Sequence, residues 1–476
     1  MKKIISLSLA ALLAACGGGG GSGGNSGNSS NSNSSLPPSA SLANQCANPR
    51  PGTVDTQGSM STEKAYLRSF IDETYLWYRD VPTGLNPDTY QTTQAYFDAL
   101  KTTATTASGK PVDQFHFYMT TADWNSAMNG ISQDYGLQFA AFSASPPRNY
   151  VVADVAPGSP AALVGVMRGD KITAIDGIDF VNDNTSSGIA NLNEGLYPTK
   201  VATHQLVFNG TKTVSLTPAT YAIKTVQNVN VIPTANGNVG YFIFNSHIAQ
   251  SEGELINAIN QLKSANVSDL IIDLRYNGGG LLAVASELAY MIAGPANTNG
   301  QTFEKIIYND KLSGNNQTYS FFNASSTNQA LPTLNLNKVT LLVGPGTASA
   351  SESIINSLRG VNVAVNLIGS TTRGKPYGFV PQDNCGYTYF SIQFKGINNK
   401  GFGDYADGFS PTCQVADDFT HQRGDVNEGL LKSALSYRQN NACPSGSSGA
   451  SLMGDTVEHY DLISPMPASR IPPQSK

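Results

Sequence analysis

Charge is scarce in this chain. Only 13% of its 476 residues are Asp, Glu, Lys or Arg, and 29 basic against 34 acidic residues leave a formal net charge of −5. No long run of either sign occurs, which argues against a nucleic-acid-binding surface and a polybasic membrane patch. There is no C-x-x-C, H-x-x-H or H-E-x-x-H, so no metal site is expected; without a G-x-x-x-x-G-K-[ST] loop, nucleotide phosphate binding is disfavoured. The five histidines fall in no triad pattern. What is plentiful is Gly (46), Pro (25), Tyr (21) and Phe (19), the composition of a loop-rich exported protein with too many aromatics for wholesale disorder.

Lys2 and Lys3 followed by the apolar run Ile4 to Ala15 read as an export signal, since a membrane span needs about 20 residues. The run ends in Leu13-Ala14-Ala15-Cys16, which resembles a bacterial lipobox. The resemblance implies cleavage before Cys16 and acylation of that residue; an ordinary signal peptide is the alternative. Gly17 to Ser35 contains only Gly, Ser and Asn, a flexible tether. Gly17 rather than Asp after the cysteine resembles lipoproteins sorted to a Gram-negative outer membrane, facing the periplasm. Cys46, Cys385, Cys413 and Cys443 remain, an even number that allows three connectivities. Cys385–Cys413 is expected across a Tyr/Phe-rich segment, with Cys46–Cys443 tying the ends together.

Apolar residues from Tyr66 to Tyr78 recur at three- and four-residue spacing, predicting an amphipathic helix with Ser61 as its N-cap. A second helical stretch follows near Gln94 to Lys101. Between 131 and 227, short strands are broken by Gly, Pro and Asn. Gly136-Leu137-Gln138-Phe139, the strand Tyr150 to Val155, Ser159-Pro160 at a helix start, Gly169-Asp170 and Asp176-Gly177 follow in an order that resembles a bacterial PDZ domain. A generic small β domain is the alternative. The PDZ resemblance implies that Gly136, Leu137, Gln138 and Phe139 hold a peptide's terminal carboxylate through backbone N–H groups while the peptide adds as a strand.

From 238 to 437, strands and helices alternate, implying a largely parallel sheet covered by helices. Two loops follow buried strands and open helices: Arg275-Tyr276-Asn277-Gly278-Gly279-Gly280 and Gly346-Thr347-Ala348-Ser349-Ala350-Ser351-Glu352. Unpaired N–H groups at such helix starts can stabilise an anion, although glycines that merely turn the chain would look the same. Ser349 is a candidate nucleophile and needs a base; Lys375, in Thr372-Arg373-Gly374-Lys375, is the candidate.

Taken together, Thr347 to Glu352, the Gly-Lys about 25 residues on, Asp273 to Asn277 with its glycines, Ala416-Asp417-Asp418 and a closing helix near Leu430 resemble the S41 family of C-terminal processing (tail-specific) peptidases. The resemblance covers roughly residues 60 to 440. It implies a multidomain α/β architecture: a crotonase- or ClpP-like β-α protease core, an N-terminal helical region and a PDZ-like β domain. The corresponding segments are a lipoprotein signal at 1–15, a lipid-anchored linker at 16–58, the helical region at 59–128, the PDZ-like domain at 129–228, the core at 229–441 and a tail at 442–476. Ser349 falls on the nucleophile and Lys375 on the general base, with the N–H groups of Ala350 and of a glycine, most simply Gly279, on the oxyanion hole. Many members carry a Gln four residues after the lysine; here Phe379 stands there, and Gln382 is the candidate replacement. The implied activity is endoproteolysis of unfolded or partly folded polypeptides with free C-termini by a Ser-Lys dyad, with no cofactor. A catalytically silent peptide- or apolar-ligand-binding lipoprotein on the same fold is the rival. Neither physiological substrate nor oligomeric state is encoded legibly.

Overall fold

The structure is a computed structural model that describes residues 36–445 and 460–463. The export signal, the tether and Cys16 lie outside the described residues. None of the described helices is long and apolar enough to cross a membrane.

The N-terminal region is built on helix α1 (Met60–Thr74). Its N-cap is Ser59, whose side chain accepts the Thr62 N–H, and not Ser61, so the helix starts two residues earlier than its hydrophobic spacing suggests. Tyr66, Leu67, Phe70 and Ile71 on its inner face meet Tyr96 and Phe97 of α2 (Thr93–Ala99) in a separate aromatic core. Strand β1 (Phe117–Thr120) leads out of this region.

The second region has its own core. Strands β2 (Leu137–Ser143) and β3 (Asn149–Val155) pair antiparallel. Ser159 caps the short helix after β3, with Pro160 in its first position, where a missing N–H costs nothing. Strand β4 (Ile172–Ile175), helix α3 (Ser186–Leu196) and strands β5 (His204–Phe208) and β6 (Lys212–Leu216) complete it. Phe139, Tyr150, Ile175, Phe180, Leu192 and Leu206 fill the interior.

The third region is a six-stranded sheet. Strand β7 (Val226–Ile232) lies antiparallel at one edge against β8 (Val239–Phe244). Helix α4 (Ser251–Ser264) returns to β9 (Asp269–Asp273), and α5 (Leu282–Ala293) follows the glycine turn. Strand β10 (Lys338–Val343), helix α6 (Ala350–Gly360) and strand β11 (Ala364–Gly369) continue the parallel order. Every residue of β8 and β9 is buried, the two end aspartates of β9 included, which accounts for the nearly all-apolar stretch from Leu270 to Leu274. A hairpin strand β12 (Tyr387–Phe390) leaves this region to pair with β1, and β13 (Cys413–Gln414) adds a last parallel edge beside β11. Helix α7 (Gly429–Asn440) packs on the sheet, and a three-residue strand β14 (Asp461–Ile463) lies against β2.

The disulfides differ from expectation. Cys46 bonds Cys385, and Cys413 bonds Cys443; neither Cys385–Cys413 nor Cys46–Cys443 forms. The reason is layering. Cys385 sits on the turn into β12, beside the N-terminal region, where the Asn44 N–H donates to Asn384 Oδ1 at 2.8 Å and brings Cys46 alongside. Cys413 sits instead at the edge of the core sheet. Asn441, left-handed at φ 51°, ends α7 and turns the chain so that Cys443 returns to Cys413. The second bridge closes a loop with a sequence separation of 30, a constraint that contributes about 3–4 kcal/mol if unstrained.

Candidate active site

Strand β10 ends at Val343, and the chain turns through Gly344-Pro345-Gly346 to Ser349, which precedes α6. Ser349 has φ 55° and ψ −120°, a backbone region that L residues rarely occupy. Its N–H donates to Glu352 Oε2 at 3.0 Å, as a residue three positions into a helix can accept from the residue capping it. The same oxygen accepts the Lys375 N–H at 2.8 Å. The two backbone nitrogens therefore lie no farther apart than those two bonds laid end to end. Glu352 Oε1 accepts from Gly374 N at 2.8 Å and Thr372 Oγ1 at 2.5 Å. One wholly buried carboxylate thus binds the serine loop of α6 to the lysine loop that follows β11. Burial pushes its pKa up, and these hydrogen bonds pull the other way.

Lys375 is buried, with Nζ 4.3 Å from the centre of the Phe379 ring and 5.1 Å from that of Phe115. Burial pushes its ammonium down to about 8, against the pull of the Asp113 and Glu352 carboxylates. Asp113 comes from the N-terminal region. Although burial pushes its carboxyl up, His116 and the Tyr75 hydroxyl, 2.5 Å from Oδ2, hold it below the usual value. Phe379 thus flanks the ammonium as an apolar wall. Tyr377, two residues before it, packs edge-on against Trp77 at 4.7 Å. Phe115 and Asp113 could not be found by spacing, because they lie in a different region of the chain.

Gln382 is not brought to Lys375. Its amide donates weakly to Asp383 O at 3.4 Å, and its remaining partner is Tyr66 of α1. The reason is local: Phe379 occupies the space beside the ammonium, and by residue 382 the chain has entered a hairpin strand paired with β12. The lysine is held instead by its backbone bond to Glu352 and by the two rings.

The glycine turn lies directly beneath the serine. Gly279, at φ 100°, leaves no room for a side chain: a Cβ there would sit 2.8 Å from Ser349 Cβ and 2.9 Å from Ala350 N. Its N–H, however, donates to Asn277 Oδ1 at 3.0 Å. Asn277 Nδ2 donates to Phe244 O at 2.9 Å, which fixes Oδ1 as the acceptor and makes His247 Nδ1, 3.0 Å away, the carrier of a hydrogen. Burial pushes His247 down to about 4, so it is neutral. The Gly279 hydrogen is therefore already engaged. Ala350 N and Gly278 N have no acceptor among the described residues.

An ionic cluster sets the base of the site. Arg275, at the end of β9, is held by Asp273, Glu428 and Asp417, with Nη1 at 2.7 Å from each of the last two. Asp417 also takes Arg168 of the second region at 2.6 Å and the Tyr276 hydroxyl. This locks the glycine turn, the second region and the segment before α7 together. Breaking one partner of such a buried set leaves uncompensated charge and costs about 3–5 kcal/mol.

The segment Gly136 to Phe139, expected to hold a peptide's carboxylate, runs directly into β2. Gly136 has φ 77° and a Cβ would meet the Ser159 side chain at 2.1 Å, so only glycine fits. Its N–H donates to Asp134 Oδ1 at 2.5 Å. Leu137, Gln138 and Phe139 are in the strand itself, paired with β3. Among the described residues the grouping of metal-ligand type is Cys46, Glu63 and Cys385, and two of its three members are joined as a disulfide.

Comparison with known proteins agrees with this layout. Residues 238–382 match the family model of peptidase family S41, residues 62–115 that of the peptidase S41 N-terminal domain and residues 151–189 that of a PDZ domain. A carboxyl-terminal-processing protease of Picosynechococcus sp. is 32% identical over 221 residues, which is 46% of this chain and 49% of that protein. Carboxyl-terminal-processing peptidase 2, chloroplastic, of Arabidopsis thaliana is 26% identical over 323 residues, covering 65% and 58% respectively. The chain thus spans about half the length of the curated relatives it matches. A solved structure assigned as an S41 protease of Bacteroides fragilis superposes with a TM-score of 0.63 at 26% identity, covering 79% of this chain and 97% of that one.

Proposed function

Because the chain belongs to the S41 serine peptidases, with their N-terminal and PDZ domains, we propose that it is an endopeptidase working through Ser349 and Lys375 on unfolded or partly folded polypeptides. The observation that carries this reading is the Glu352 carboxylate, whose single Oε2 holds the backbone of both residues. Neutral Lys375 Nζ accepts the Ser349 Oγ proton as Oγ bonds to the carbonyl carbon of the scissile peptide. Negative charge moves to the carbonyl oxygen, where the Ala350 N–H and a glycine N–H receive it. Within that turn the Gly278 and Gly280 N–H groups are unengaged among the described residues, whereas that of Gly279 is held by Asn277 Oδ1. Collapse breaks the C–N bond, the protonated lysine returns its proton to the departing amine, and water then cleaves the acyl-serine with Lys375 again as base.

A serine-directed fluorophosphonate is expected to label Ser349 alone, as mapped by peptide mass analysis. Absence of labelling in folded protein would favour the rival reading, a silent peptide-binding protein.

Selection of substrates by their C-termini is supported by the PDZ domain, whose strand-edge mode of binding gives affinity from main-chain bonds and specificity from side-chain pockets. Export and anchoring through Cys16 are supported by the lipobox, by the Gly/Ser/Asn tether and by two disulfides suited to an oxidising compartment. The anchor places the enzyme on a bacterial outer membrane facing the periplasm. The intact mass of detergent-extracted protein should then show a diacylglyceryl group and N-acylation on Cys16; an uncleaved Met1 would refute it.

A further inference from the structure

Strand β14 is out of place in a simple reading of the chain. It comes from the far C-terminal side of the peptidase core, yet it extends the sheet of the PDZ domain. Ile463 stands opposite Phe139, Leu462 opposite Ala140 and Asp461 opposite Ala141, antiparallel. Strand β3 holds the other edge of β2. The segment therefore runs towards the Gly136 loop along the edge that a PDZ domain offers to a peptide, in the direction a peptide ligand takes.

Its side chains behave as those of a ligand. Ile463 is buried in the PDZ core, in one cluster with Leu137, Phe139 and Leu196. On the opposite face Leu462 reaches the loop before the nucleophile: a Cβ on Gly346 would lie 2.2 Å from Leu462 Cδ1. The Tyr460 hydroxyl donates to Asp417 Oδ2 at 2.9 Å, and its ring meets Phe142 of β2 and Phe419. Tyr460 and Asp417 also wall a cleft of about 210 Å³ whose other side is formed by Pro345, Thr372 and Arg373. Three residues pairing by their main chain alone make a weak strand. Burial of Ile463 and Leu462 supplies most of the hold, so the segment can be displaced by a better peptide.

We propose that residues 460–463 are a built-in ligand of this chain's own PDZ domain. They close the edge of β2 to other peptides and fasten the PDZ domain to the nucleophile loop until a polypeptide with an apolar C-terminal residue replaces them. The binding half rests on the PDZ domain alone; only the consequence for cleavage rests on the peptidase reading. Residues 445–459 separate the segment from the end of the core. A tethered segment present at an effective concentration of about 1 mM, with an intrinsic Kd of about 10 μM for its own site, weakens a competing peptide about 100-fold.

The test uses a fluorescent nonapeptide with the sequence of residues 455–463 and a free C-terminal carboxylate, titrated by anisotropy against full-length protein carrying Ser349→Ala. Two further proteins remove the strand, one by Ile463→Asp and one by ending the chain at Pro444, which keeps Cys443. Both should bind the peptide at least about tenfold more tightly than the full chain, with the circular-dichroism spectrum of the folded protein retained. The C-terminal amide should bind more weakly than the acid. Equal affinity in all three proteins, or no binding even when the strand is gone, would overturn the proposal. With Ser349 intact, Ile463→Asp should cleave an unfolded substrate several-fold faster. Tighter peptide binding with unchanged cleavage would remove the regulatory half and leave the self-ligand standing; unlabelled Ser349 in the same protein would instead mark failure of the peptidase reading.

Discussion

Lys375→Arg is expected to lower cleavage of an unfolded protein by about 10²–10⁴-fold, the contribution of a positioned general base, although the positive charge is kept. Guanidinium does not release its proton in the working range, so it cannot accept one from Ser349. The pH profile carries the same argument. The base is the neutral amine, and burial pushes the Lys375 pKa down to about 8. The rate should therefore climb through about pH 8 and level off above it. Initial rates between pH 5 and 10 would check this. His247 is the histidine beside the glycine turn, and its pKa of about 4 would give a profile already flat at pH 6. A flat profile, or an arginine variant of near-normal rate, would remove Lys375 from its role.

The second large effect is expected at Glu352. Glutamine keeps the shape but replaces one carboxylate oxygen by an NH₂ group. Whichever oxygen is lost, two donors then face a donor: Ser349 N and Lys375 N on one side, or Thr372 Oγ1 and Gly374 N on the other. Each buried donor left without an acceptor costs about 1–3 kcal/mol. Glu352→Gln should thus lower Tm measurably. A displacement of about 1 Å between serine and lysine can cost about 100-fold in rate, so activity should fall by at least that much. Glu352→Asp, too short to reach both loops, should resemble it. A glutamine variant with normal rate and normal melting would show that the carboxylate does not hold the two loops together.

The proposed Ser349–Lys375 pair is legible in the sequence because each member is local. Ser349 and Lys375 each follow a buried parallel strand and sit in a short loop of small residues, a pattern that depends on spacing alone. Glu352 lay in the same motif, three residues after the serine, and its role as a common acceptor could have been suspected from the capping spacing. What surrounds the lysine was not local. Phe115 and Asp113 arrive from the N-terminal domain, and Gln382 is drawn away to Tyr66 by a hairpin whose register no periodicity reveals. The disulfide pairing failed for a related reason: proximity in sequence favoured Cys385 with Cys413, whereas the layers of the fold separate them. Strand β14 is not legible in the sequence because three residues carry too little pattern to distinguish a strand from a tail.

Ser349 itself has a consequence for attempts to harden this protein. Its φ of 55° with ψ of −120° suits glycine far better than serine, a mismatch of about 1–3 kcal/mol. Glycine at 349 would relieve that strain and delete the hydroxyl in one step. Heat-tolerance screening that scores only soluble, folded protein therefore rewards loss of the proposed nucleophile. Directed evolution of a sturdier variant has to keep a turnover assay in every round, or its winners at this position will be inert.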